Sequence, residues 1–251
     1  MSTMKKGVNP VSFFIVFLLF FTTFGCSDIK YSTPPAYILD YSDVRRYSFD
    51  PHTILTRLDQ GDEEIFQSIS DGSDERTRIT DSLGWQPHDY IRVANALNRV
   101  ANHDDLEGWS IYKLFFTGTC NTTPIGFKDA DITYFKVDGE HYVTRRMDIS
   151  LLEKEADWAG GAVSPRPFFG WKNVDQGKLK VTADDAFQIA EANGAKAIRQ
   201  AVDNICHFNM IISPNGDFQD WQIQYYGGPS DATLFLINID PYDGTFEVIT
   251  P

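Results

Sequence analysis

A nine-residue pattern occurs twice in this chain and constrains its fold more than any other feature. Phe127-Lys128-Asp129-Ala130-Asp131-Ile132-Thr133-Tyr134-Phe135 and Phe218-Gln219-Asp220-Trp221-Gln222-Ile223-Gln224-Tyr225-Tyr226 share F-x-D-x-x-I-x-Y-aromatic. Aliphatic and aromatic residues at alternate positions mark strands with one buried face. Strand-like segments flank both copies: Trp109 to Thr119 and Tyr142 to Leu151 around the first, Ile198 to Ile212 and Leu234 to Ile239 around the second. The shared order points to an internal duplication.

A helix signal stands ahead of each strand set. Near Trp85, Pro87 suits a first helical turn and Asp89 suits the positive helix end, and Tyr90, Val93, Ala94, Leu97, Val100 and Ala101 recur at helical spacing. The second helix follows the cap signal Thr182-Ala183-Asp184-Asp185, turns Ala186, Ile189 and Ala190 inward, and is expected to stop at Asn193-Gly194. Consecutive strands with short connections pair antiparallel, and an amphipathic helix covers their apolar face. The expected fold class is therefore α+β: two tandem helix-on-antiparallel-sheet modules, each a two-layer sandwich, at 85–162 and 181–251. Between them, 163–180 is a connector rich in proline and aromatic residues. Phe168, Phe169 and Trp171 there are expected to pack across the junction, with an exposed ligand-facing patch as the alternative.

Ahead of the modules, 49–84 reads as an irregular segment of short apolar runs between acidic stretches, including Asp62-Glu63-Glu64 and Asp71-Gly72-Ser73-Asp74-Glu75. Their spacing lacks the alternating oxygens and distal glutamate of a calcium loop, so they read as a solvated acidic face. Residues 26–48, with Pro34-Pro35 and no sustained period, read as a tether. Residues 1–25 read as an export signal: Lys5 and Lys6 precede an apolar run through Phe13 to Phe21 that is short for a bilayer span.

Gly25-Cys26 resembles the end of a bacterial lipoprotein signal, in which the cysteine is lipidated and becomes the new N-terminus. Thr23 and Phe24 depart from that pattern. The resemblance implies lipidation at Cys26 and a body held outside the cytoplasm by a membrane anchor, with plain secretion and an uncleaved anchor as the alternatives. Cys120 and Cys206 then remain as an even pair, either bridged or as two buried thiols. A formal net charge of −13 with no basic stripe argues against a nucleic-acid partner.

The last seventy or so residues resemble a PepSY-type domain, a small extracytoplasmic module. The likeness rests on Val181-Thr182-Ala183-Asp184-Asp185-Ala186, on Ile189-Ala190-Glu191, on Trp221-Gln222-Ile223-Gln224-Tyr225, and on the ending Leu236-Ile237-Asn238-Ile239-Asp240-Pro241-Tyr242-Asp243-Gly244-Thr245-Phe246. In that ending Asp240 and Pro241 start a turn and Gly244 supplies its positive φ. The resemblance implies a binding or regulatory domain, linked in some relatives to peptidase inhibition, without a catalytic centre.

Motifs for chemistry are weak. His52, His88, His103, His141 and His207 form no zinc pattern, and Gly160-Gly161 is a turn signal rather than part of a phosphate loop. Asp129 and Asp131 share one side of a strand but read as solvated acids. No catalytic, cofactor or metal-binding residue is assigned. The expected function is a membrane-anchored, non-catalytic binding or regulatory module whose partner is an envelope protein, a peptidase or a cell-wall ligand. The alternatives are a secreted hydrolase using an acidic cleft between the modules and a purely structural envelope component.

Overall fold

Ten strands hydrogen-bond into one antiparallel sheet in this computed structural model, which describes residues 43–62, 64–69, 83–122, 125–138, 141–164, 179–213, 219–227 and 231–249. These residues all fall within one compact unit, Ile38–Pro251. The elements in chain order are β1 (Asp43–Ser48), α1 (Ile54–Asp59), β2 (Gln67–Ser68), α2 (Pro87–Asn102), β3 (Ser110–Thr119), β4 (Gly126–Asp138), β5 (His141–Ser150) and β6 (Glu155–Ser164). There follow α3 (Ala183–Ala190), a π turn (Glu191–Ala195), α4 (Lys196–Ala201), β7 (Cys206–Ile212), β8 (Trp221–Gly227), β9 (Ala232–Ile239) and β10 (Phe246–Ile249).

The expectation of two tandem modules is corrected by the strand order, β10-β9-β8-β7-β3-β4-β5-β6-β1-β2. Each half does lay down a helix and then a four-stranded meander. The first strands of the two meanders, β3 and β7, pair antiparallel over Leu114–Thr119 and His207–Ile212, so the halves share one sheet. The physical reason is edge satisfaction. Two separate sheets would expose the backbone groups of both β3 and β7, and joining them removes two open edges. Trp221 to Tyr226 of the second nonapeptide lie on β8 as the first nonapeptide lies on β4, each the second strand of its meander.

The first face of the sheet carries the core. Leu114 and Phe116 of β3, Ile132 and Tyr134 of β4, Met147 and Ile149 of β5 are buried there, as are Phe208 and Met210 of β7 and Ile223 and Tyr225 of β8. Helices α2 and α3 pack on this face. Tyr90 of α2 meets Phe116 edge-on at 6.1 Å. Phe187 of α3 meets Phe127 at 5.0 Å and Phe208 at 5.4 Å, carrying one aromatic cluster across the junction of the halves. Helix α2 follows its sequence signals: the Gln86 backbone N–H donates to Asp89 Oδ2 at 2.9 Å, and Tyr90, Val93, Ala94, Leu97 and Ala101 are buried.

Several other boundaries are corrected. Residues 43–48 of the expected tether form β1, which pairs with β6 along its whole length. The segment from 49 onward contributes α1 and β2, anchored by Ile54, Ile65 and Phe66 in the core. Gly160-Gly161 lies inside β6 rather than in a turn. Gly160 is required there because a Cβ would come within 2.1 Å of the Trp158 indole. The second helix ends at Asn193-Gly194 as expected: within the π turn both residues leave helical geometry, Gly194 at φ +128, and α4 starts as a new helix beyond this kink. The expected strand start at Ile198 therefore moves to Cys206.

Candidate functional site

The second face of the sheet is polar across β3 to β6, and its side chains fall into cross-strand rows. One row runs Phe115, Asp131, Asp148, Asp157, Arg46 across β3, β4, β5, β6 and β1. The row on one side is Thr117, Asp129, Ser150, Glu155, Ser48, and on the other Lys113, Thr133, Arg146, Ala159, Val44. Three aspartates thus stand directly opposite one another on adjacent strands. Opposed side chains have Cβ atoms about 4.5–5.5 Å apart, and like charges so placed are destabilising. The rows line a depression of about 330 Å³ walled by Phe115, Asp129, Asp131, Asp148, Glu153 and Asp157.

Neighbouring cations and hydroxyls hold this array. Asp131 takes an ion pair from Lys113 and a second from Arg146 at 3.3 Å, and accepts from Thr133 Oγ1 at 3.2 Å. Arg146 also donates to Asp148 at 2.8 Å. Asp129 accepts from Ser150 Oγ at 2.7 Å and from Thr117 Oγ1 at 3.2 Å. Burial pushes the Asp148 carboxyl above the ordinary carboxylate range, and the nearby Asp131 charge pushes it the same way against the pull of Arg146. Burial also raises Asp157, while Arg46 draws it back from 3.6 Å. Asp157 Oδ1 is buried without a hydrogen-bond partner among the described residues. The arrangement is an ordered ionic surface with two carboxyls that take up protons more readily than free aspartates do.

The residues singled out from sequence meet different fates. Asp129 and Asp131 do share one face and line the depression. Asp220, the repeat partner of Asp129, lies in the bend before β8, where burial and then Asp240 raise its carboxyl. The two aspartates therefore play different roles. The cleft between separate modules that a hydrolase reading required is absent from the described residues, because the halves share one sheet. Cys120 and Cys206 are joined as a disulfide with Cα atoms 5.2 Å apart, extending the β3–β7 register by one pair. Cys26, Phe168, Phe169 and Trp171 lie outside the described residues, as does the acidic stretch 71–75. Asp62 pairs with Arg57 at 2.8 Å.

The histidines serve local packing where they are described. His88 Nδ1 lies 2.8 Å from Asp184 and its Nε2 3.2 Å from Asp89, linking the starts of α2 and α3. His207 stacks on Tyr226 at 5.2 Å. Among the described residues no group of three or more histidine, cysteine or acidic side chains is placed to hold a metal ion. Sequence reading missed Arg146, Asp148 and Asp157. Their i, i+2 alternation on β5 and β6 was visible, but the row they form depends on strand register. No family model and no curated protein sequence matches the chain.

Proposed function

We propose that the protein is an extracytoplasmic lipoprotein, anchored through Cys26, that acts as a non-catalytic binding or regulatory module and engages its partner through the depression on the second face. One observation carries the binding reading: Asp131, Asp148 and Asp157 are lined up across three strands at a cost in stability. Residues that break a local folding rule without a compensating gain in packing are candidates for function. The location reading is supported by the Lys5-Lys6 leader and Gly25-Cys26, and by the Cys120–Cys206 bond, since such bonds persist in oxidising compartments. The PepSY-like features of residues 181–246 add to the same reading. There Gly244 N–H donates to Asp240 O at 3.0 Å and Asp240 N–H to Thr245 O at 2.8 Å, closing the turn that the likeness rests on.

The test is affinity capture from solubilised envelopes with the full chain, wild type beside the triple variant Asp131→Asn, Asp148→Asn, Asp157→Asn. The reading expects one protein or wall fragment to be enriched by the wild type and lost with the folded variant. Equal capture by both would remove the depression as the contact surface. Labelling with a lipid precursor in the same cells should mark the wild type and not Cys26→Ser.

A further inference from the structure

The helical piece after the π turn is held in an unusual way. Helix α4 spans six residues and has no buried side chain of its own. Six residues are far too few for a helix to persist alone, so something must hold it. Ile198 and Val202 rest half-buried against the core, which is a modest apolar grip.

The stronger hold is ionic. Arg199 donates to Glu191 from Nη2 at 2.8 Å and from Nε at 3.0 Å, and from Nη1 to Asn204 Oδ1 at 2.7 Å. Glu191 in turn accepts from the Tyr225 hydroxyl of β8 at 2.7 Å. The Arg199 and Glu191 side chains are only 16% and 12% exposed, so screening by water and salt is slight. The piece is bounded at one end by the π turn with Gly194 at φ +128 and at the other by Asp203 and Asn204, both left-handed at φ 54 and φ 57. Consecutive non-glycine residues in that region cost energy that undocking would return.

We propose that residues 196–204 form a latched flap, which opens as a unit about the π turn while the sheet stays intact, with the Glu191–Arg199–Tyr225–Asn204 network as its latch. Opening withdraws Arg199 from the Glu191 carboxylate, which keeps the Tyr225 hydroxyl as its donor from the sheet. The flap thus supplies a conformational step at the opposite face of the sheet from the carboxylate rows.

Native-state amide hydrogen exchange on the intact, oxidised chain tests this. The N–H groups of Val202, Asp203 and Asn204 donate within the flap, to Arg199, Gln200 and Arg199 carbonyls respectively, and that of Ile205 donates back to Val202, so all four report its opening. In the wild type they should exchange at least about tenfold faster than Ile223 and Tyr225 of β8. Glu191→Gln should speed the flap amides by about a further tenfold and leave the β8 amides unchanged. Asn204→Ala, which removes one bond of the latch, should act in the same direction if Glu191→Gln fails to fold. Flap and β8 amides exchanging at one common rate in the wild type would overturn the proposal. So would variants that accelerate both sets equally.

Discussion

Asp148 illustrates what a single residue costs and what it exposes to measurement. It stands between Asp131 and Asp157 in one row, 41% exposed, and pairs with Arg146 at 2.8 Å. Its exposure means that solvent screens much of the repulsion, so the expected gain on neutralising it is small. Asp148→Asn keeps an acceptor for Arg146 and removes one of three opposed charges. It should raise stability at pH 7 by a few tenths to about 1 kcal/mol in denaturant melts. The pH dependence follows from the direction of the shift. Because the folded-state carboxyl is raised, its stabilising contribution is fully present below the unfolded value of about 3.9 and is lost as pH rises through the folded value. Asp148→Asn should therefore flatten the fall in stability with rising pH above that point. A variant less stable than wild type at pH 7 would show that Asp148 is a net stabiliser and would remove the cost on which the binding reading rests.

At the scale of elements, local chemistry was legible and strand company was not. The stripe Tyr90, Val93, Ala94, Leu97, Ala101 was readable because its period belongs to one continuous helix, and all five are buried. Gly160 was misread because glycine marks both chain reversal and close packing. At Gly160 the Trp158 ring decides; at Gly194 the helix does break, and the Phe235 ring, 3.0 Å from where a Cβ would stand, adds a packing reason for glycine. Strand β1 was hidden because it has only one buried apolar residue, Tyr47, and is held by pairing with β6. The β3–β7 junction carries its own prediction. The Cys120–Cys206 bond closes a loop of sequence separation 86 beside that pair. Reduction, or Cys120→Ala with Cys206→Ala, should lower the unfolding free energy by about 2–5 kcal/mol on the loop-closure argument. Denaturant titration with and without reductant measures it, and coincident curves with the bond shown to be reduced would contradict it.

For the whole molecule, joining the halves into one sheet governs both faces. On the first face it lets Phe127 of one half pack on Phe187 and Phe208 of the other, so the core crosses the junction. On the second face it places the ionic rows of β4 to β6 beside Asn209, Gln222 and Gln224 of β7 and β8, reached through Thr117 and Phe115. None of this could be read along the chain. Duplication signals say that two similar pieces exist, but which edges meet depends on contacts more than 80 residues apart, such as Leu114 with Ile212. The candidate site was half legible for the same reason: Asp129 and Asp131 share a strand, whereas Asp148 and Asp157 join them only through register.

The most direct test of this architecture is an NMR search for interstrand NOEs between Leu114–Thr119 and His207–Ile212 on the oxidised protein. One continuous sheet predicts cross-strand contacts pairing Phe116 with Met210 and Gly118 with Phe208, together with slowly exchanging amides on both strands. Absence of those contacts, with fast exchange along the facing edges of β3 and β7, would contradict it.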